Sequence, residues 1–236
     1  MLLRPGGRII DGVKKLLAVP ARGEATRQRI IERAAPIFNQ HGYAGTALSE
    51  LMQATGLQKG GIYRHFSGKE ELAEEAFRFA WANARRRRME GVSAAASNTE
   101  KLRLLVRNFV RGPRTLAGGC PLMNTAVDAD DTSPALLSLA RKAFREWRGT
   151  IVKIIREGQR AGEFRRDVSA VSAATLMMGS LEGALLITRI EGNRTALHAA
   201  ERQLEAWIRT LAPGLSSKPG RPLKKTARRT LQAKRK

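Results

Sequence analysis

Residues 56–72 read GLQKGGIYRHFSGKEEL, with cations at Lys59, Arg64 and Lys69, adjacent glycines, and a Tyr-x-x-Phe pair. Gly60 and Gly61 each cost roughly 1 kcal/mol against alanine in a helix interior, so bare backbone here needs a purpose. Helical spacing turns Ile62 and Phe66 inward with Leu48, Leu51 and Leu57, and leaves Gln58, Lys59, Gly60, Gly61, Tyr63, Arg64 and His65 outward. A helix start without side chains lets an anion reach the backbone, where free N–H groups and the helix dipole favour negative charge. The chemistry indicated is recognition of a phosphate or a base edge.

Bond-making chemistry has no comparable signature. His41, His65 and His198 stand far apart, and Cys120 is the single cysteine. No internal disulfide can form, and no zinc pair, phosphate loop or Ser/His/Asp spacing appears. The expectation is therefore no catalytic residue, no metal and no cofactor.

The elements that must hold the exposed cations belong to a chain of 236 residues with 43 Lys+Arg, 21 Asp+Glu and a formal net charge of +22. Such an excess calls for a polyanionic partner, nucleic acid or an anionic membrane surface. The strongest apolar run, AATLMMGSLEGALLITRI, is interrupted by Glu182 and glycines, so no bilayer span is expected. Residues 1–24 lack the continuous apolar stretch of a secretory signal and read as a flexible leader. Residues 213–236 hold no acid and little that is apolar, the composition of a disordered basic tail. Within it KPGRPLKK resembles an AT-hook in one imperfect copy, and generic attraction to phosphates is the preferred reading.

Between these ends the pattern is all-α, with no period-2 run that would make a strand. A first helix runs from Thr26 to Gly42 with a bend expected at Pro36, and a short second one follows, N-capped by Thr46. The QKGGIYRHF helix comes after the Gly56 turn. A fourth starts from a Ser67–Glu70 capping box and reaches about residue 88. Longer helices follow: one after a Ser97–Glu100 box, a short one from Pro121, one from Ser133-Pro134 to about Gly162, one from Asp167 to about Glu191, and one over Thr195–Leu211. Two short helices around a glycine turn, the second cationic, form a helix-turn-helix.

The stretch GYAGTALSELMQATGLQKGGIYRHFSGKEEL resembles the TetR/AcrR family of transcriptional repressors. Its Gly-Tyr-x-x-Thr start, Gly-Leu turn, Lys-Gly-x-Ile-Tyr-x-x-Phe core and following Lys-Glu are specific together. The resemblance implies a DNA-binding domain at residues 25–72, whose fourth helix continues to about 88. It also implies a larger helical domain, residues 73–212, that dimerises and binds a small effector. Thr46 then corresponds to a phosphate contact, Lys59, Tyr63 and Arg64 to recognition-helix contacts, and Lys69 to a backbone clamp. Ala47 departs from the pattern, standing where a second hydroxyl is usual, and Met52 replaces a small residue facing the recognition helix.

Expected partners are double-stranded DNA, an unknown small-molecule effector and a second copy of the chain, without a membrane, in the cytoplasm and on the nucleoid. Phe109, Cys120, Met123, Phe144, Trp147 and Met177 are the candidates for an effector pocket, and most large apolar residues of this domain read as core. Cys120 has two readings: a small buried hydrophobe, or a thiol at a helix start whose pKa falls. The run Arg85–Arg88 reads as a solvated helix end that complements the dipole. Dimerisation is expected on the last two helices through Leu176, Leu181, Leu185, Leu204, Trp207 and Ile208. A weakly selective architectural DNA-binding protein, driven by charge, is the alternative.

Overall fold

A computed structural model describes residues 22–112 and 116–214. The leader up to residue 21, and the basic tail from residue 215 with its KPGRPLKK segment, lie outside the described residues. Helix α1 (Arg22–Gly45) starts earlier than Thr26 and keeps Pro36 inside it. The break falls at Gly42 (φ 75°, ψ 172°), not at the proline, whose missing N–H costs the helix a single hydrogen bond. A Cβ on Gly42 would collide with the Asp128 carboxylate, so glycine is required there on two counts.

Helix α2 (Leu48–Thr55) ends at Gly56, which adopts φ 70° and donates to the Met52 carbonyl at 2.9 Å. Its N-cap is Ala47, not the expected Thr46. Glu50 accepts from the Ala47 N–H at 2.7 Å, while Thr46 is buried and its hydroxyl donates to the Gly42 carbonyl at 2.6 Å. Helix α3 (Lys59–Tyr63) follows, then α4 (Lys69–Arg88). The expected Ser67–Glu70 box is replaced by Ser67 donating both its N–H and its hydroxyl to Glu71, at 2.7 and 2.8 Å. Glu70 instead accepts from the Ser133 hydroxyl at 2.9 Å.

The remainder comprises α5 (Asn98–Arg111), α6 (Pro121–Asp128), α7 (Pro134–Arg160), α8 (Ala170–Glu191) and α9 (Thr195–Thr210). Ser97 and Ser133 cap α5 and α7 by accepting from Glu100 N and Leu136 N. A second cap on α5 comes from afar. Burial alone would raise the Glu163 pKa, but bonds from Thr99 and Asn98 outweigh it and hold the carboxyl below its ordinary value. Helix α8 is capped by Ser169, and the expected start at Asp167 is a residue paired with Arg165 instead. No strand occurs among the described residues.

Two apolar cores result. Ile30, Ile31, Ala34, Leu51, Ile62, Phe66 and Leu72 bind α1–α3 to the start of α4. The larger core joins α4–α9 through residues such as Phe77, Trp81, Leu102, Ile155, Met177 and Ile208. Each fully buried Leu or Ile contributes about 1.5–3 kcal/mol. Helix α4 gives Leu72 to the smaller core and Phe77 and Trp81 to the larger, so one rigid rod runs through both.

By length and composition α8 is apolar enough to cross a bilayer, contrary to the reading that its interruptions exclude this. Its Glu182 is buried within the bundle opposite Arg88, with 3.7 Å between the charged atoms. Its other face carries exposed Val171, Leu176, Leu186, Ile187 and Ile190.

Candidate nucleic-acid interface

Leu51, Ile62 and Phe66 are buried, and Leu48 and Leu57 pack against them, which sets α3 with one face down. The opposite face presents Gln58, Lys59, Gly60 and Arg64 exposed, with Gly61, Tyr63, His65 and Lys69 half-buried beside them. The two glycines differ in kind. A Cβ on Gly61 would meet the Leu57 side chain at 3.4 Å, so packing accounts for part of its smallness. A Cβ on Gly60 would meet nothing within 4 Å, so packing among the described residues does not account for its smallness.

Lys69, at the first turn of α4, holds its ammonium 4.8 Å from the Tyr43 ring centroid. Tyr43 was missed by the sequence reading as a site residue, although it lies in the Gly-Tyr-x-x-Thr stretch. Its phenol pKa is raised by burial, then by Glu70 and Tyr63, so the hydroxyl keeps its proton. Thr46 does not join this surface. A phosphate offers only acceptors, and the Thr46 hydroxyl already donates to Gly42.

The helix-turn-helix is bonded to the larger domain at more than α4. Tyr43 N–H donates to Asp128 of α6 at 2.6 Å. Asn39 of α1 donates to the Ala117 carbonyl at 2.7 Å, and Asn124 of α6 donates back to the Asn39 carbonyl at 2.8 Å. Arg189 of α8 donates to the same Asn124, at 3.2 Å. A shift of α6 therefore reaches α1, α8 and the turn before α2 together.

Beside α6 lies a cavity of about 800 Å³, within the range of small-molecule sites. Of the six residues expected to line an effector pocket, Phe109 and Cys120 form part of its wall. Trp147 is buried, stacked on Phe109 with ring centroids 5.8 Å apart. Met177 is fully buried in the core, while Met123 and Phe144 are exposed on the outside. Amphipathic spacing marks the apolar face of a helix, but it does not tell core from cavity from exposed patch.

Two readings require correction here. Arg88 is no solvated helix end: it is buried, its guanidinium carbon 4.1 Å from the Trp147 centroid, 4.8 Å from Phe109 and 5.3 Å from Trp81. It donates to Cys120 Sγ at 3.1 Å, and its ion pair with Glu182 offsets part of the cost of burial. The signal available in sequence was Glu182, a lone acid in an apolar helix that needs a buried cation. Nor is the Cys120 pKa depressed at the start of α6. Burial pushes it up to about 11, against the lowering effect of Arg88, and Glu182 raises it further.

The same arrangement recurs in known proteins. Residues 30–76 match the family described as bacterial regulatory proteins, tetR family, and residues 99–204 match the tetracyclin repressor-like C-terminal domain. The HTH-type transcriptional repressor DhaR of Mycobacterium sp. (strain GP1) is 29% identical over 172 residues, 72% of this chain and 86% of DhaR. The crystal structure of a TetR transcriptional regulator from Chloroflexus aurantiacus is similar at 40% identity and a TM-score of 0.76, over 80% of this chain and 96% of that one. A TetR-family regulator from Cytophaga hutchinsonii gives 37% identity and a TM-score of 0.77, over 83% and 98%. An outward cationic helix behind a glycine turn, a single rod joining it to a larger helical domain, and these similarities lead to one conclusion: the chain belongs to the TetR family of transcriptional regulators.

Proposed function

We propose that the protein is a homodimeric repressor that binds a palindromic DNA site and leaves it when a small molecule occupies the cavity beside α6. The observation that carries this reading is the span of α4, with Lys69 at the exposed cationic surface and Arg88 in the cavity wall. At 1.5 Å per residue these lie about 28 Å apart on one helix. A ligand that binds one position of α4 better than another shifts the balance between DNA-binding states. Tyr43–Asp128 and Asn39–Asn124 give α6 a parallel hold on the helix-turn-helix.

On the DNA, Lys59, Gly60, Tyr63 and Arg64 enter the major groove, with Gln58, Gly61 and His65 at its margin and Lys69 on a phosphate. Dimerisation through α8 and α9 is supported by the exposed stripe Val171, Leu176, Leu186, Ile187 and Ile190. Gly179 and Gly183 are exposed beside it, and a Cβ on either would meet open space, so a second helix can approach closely. This stripe differs from the expected one: Leu181, Leu204 and Ile208 turn inward to the core, Leu185 and Trp207 are half-buried against it, and only Leu176 of the six is exposed. Two-fold pairing sets the recognition helices about 34–36 Å apart, one turn of DNA.

Repression rather than activation follows the similarity to DhaR. Such a regulator works in the cytoplasm on nucleoid DNA, with no membrane partner. Selection of binding sites from random duplexes, together with sedimentation at micromolar concentration, tests the reading. A symmetric consensus bound by a dimer is expected. Diffuse selection without a consensus, or a monomer, overturns it and returns the charge-driven architectural alternative.

A further inference from the structure

The cavity beside α6 has an electrostatic character that its apolar residues do not suggest. Arg87, Arg88, Arg189 and Arg194 all lie in its wall, and among the described residues no Asp or Glu does. Their existing partners leave most of that charge unbalanced. Arg189 donates to Asn124 and Arg194 to the Val110 carbonyl, both neutral acceptors. Arg87 makes no side-chain hydrogen bond or ion pair among the described residues. Arg88 alone faces an acid, Glu182 at 3.7 Å, and its Nη1 is buried without any hydrogen-bond partner. A concave wall of one sign concentrates the opposite charge.

Phe109, Val110, Leu185 and Leu197 give the wall an apolar part, beside the polar Gln40, His41 and Asn108. A cationic ligand is disfavoured although aromatic rings are at hand. Arg88 already occupies the space over Trp147, Phe109 and Trp81, and a second cation would stand among the other arginines. Arginine matches a carboxylate through two parallel N–H bonds.

From this wall we infer that the effector is an organic anion, a carboxylate with an alkyl or aryl body, held at its head group by Arg87, Arg88 and Arg189. The inference rests on the proposed role of the cavity as the effector site. It also gives that role a mechanism: the head group is drawn to the last turn of α4, the rod that carries Lys69 to the DNA surface.

The test uses the full-length chain and calorimetric titration at pH 7.5. The probes are hexanoate, decanoate and 2-naphthoate, the neutral alcohols of matching carbon skeleton, and decyltrimethylammonium. At least one carboxylate is expected to saturate stoichiometrically and to bind about tenfold or more tighter than its alcohol and than the cation. Arg87→Gln and Arg189→Gln should each weaken that carboxylate by about tenfold while leaving the alcohol unchanged. Circular dichroism of each variant confirms that it is folded. If no carboxylate saturates, if the alcohol matches it, if the cation binds tighter, or if folded variants bind as before, the inference is wrong. Sequence-selective DNA binding measured on the same preparation separates the two levels. Its retention without carboxylate preference overturns the ligand class alone, whereas its absence overturns the regulator reading whatever the cavity binds.

Discussion

The two ends of α4 treat positive charge in opposite ways. At its start Lys69 is half-buried, its ammonium against the face of Tyr43, on the same surface as the cations of α3. At its end Arg88 is buried, ringed by three aromatic side chains, and paired with an acid from α8. A run of four arginines there looks like a solvated helix end, and Arg85 and Arg86 are indeed exposed. What separates Arg88 from them is its position over α5, α7 and α8. Residue type thus says that a charge is present, and packing decides whether it meets solvent, DNA or a ligand.

The largest effect expected from disturbing this contrast is at the buried end. Arg88→Met leaves Glu182 buried without its cation and should cost about 3–5 kcal/mol in urea unfolding. Adding Glu182→Leu should return much of that loss, because a buried ion pair is often replaced by apolar packing at little cost. The loss should also depend on pH. Burial already raises the Glu182 pKa, and Arg88 opposes the rise, so Arg88→Met raises it further. A raised carboxylate favours the folded state only while it is protonated, and that contribution disappears as pH climbs through the folded value. The difference between wild type and Arg88→Met should therefore be smaller at pH 5 than at pH 7.5. Equal differences would mean that Glu182 is not what the arginine serves.

At the DNA end the effects are smaller and differ in kind. Lys59→Ala or Arg64→Ala should alter base preference in site selection, at a cost of about 1–3 kcal/mol on the preferred site. Lys69→Ala should weaken cognate and random DNA alike and lower the salt slope by about one. Equal losses on both kinds of DNA for all three variants would erase the proposed division of roles.

Gly60→Ala sharpens the comparison further. Nothing among the described residues opposes a methyl group there, so the variant should be more stable by about 0.5–1 kcal/mol, yet bind DNA less well. Stability without loss of binding would leave the glycine unexplained.

The smallest effect expected is at Cys120. With its pKa pushed up to about 11, the native thiol should react with an aromatic disulfide reagent at pH 7.5 far more slowly than the unfolded chain does. Fast native labelling would reopen the thiol-sensor reading.

Much of the helix-turn-helix was legible because its determinants are neighbours in sequence. The Gly56 turn, the inward Leu51, Ile62 and Phe66, and the outward Lys59 and Arg64 follow from helical geometry and a left-handed glycine over a few residues. Even here local rules misassigned some bonds. Ser67 offered two acidic partners a residue apart, and the carboxylate it did not take went to Ser133, 63 residues away. Thr46 looked like a free hydroxyl until the Gly42 carbonyl, exposed by the helix break, came within reach.

Fold class and the cationic surface were determined by the sequence, because periodicity, charge and turn residues act over one or two helical turns. The exposed apolar face of α8, the four arginines around one cavity and the Arg88–Glu182 pair were decided only by tertiary structure. The physical reason is the same in each case. An apolar helix face can be satisfied by a core, a ligand or a second chain at similar free energy, and a buried charge by any opposite charge brought within a few ångströms. Which of these occurs depends on where the other helices lie.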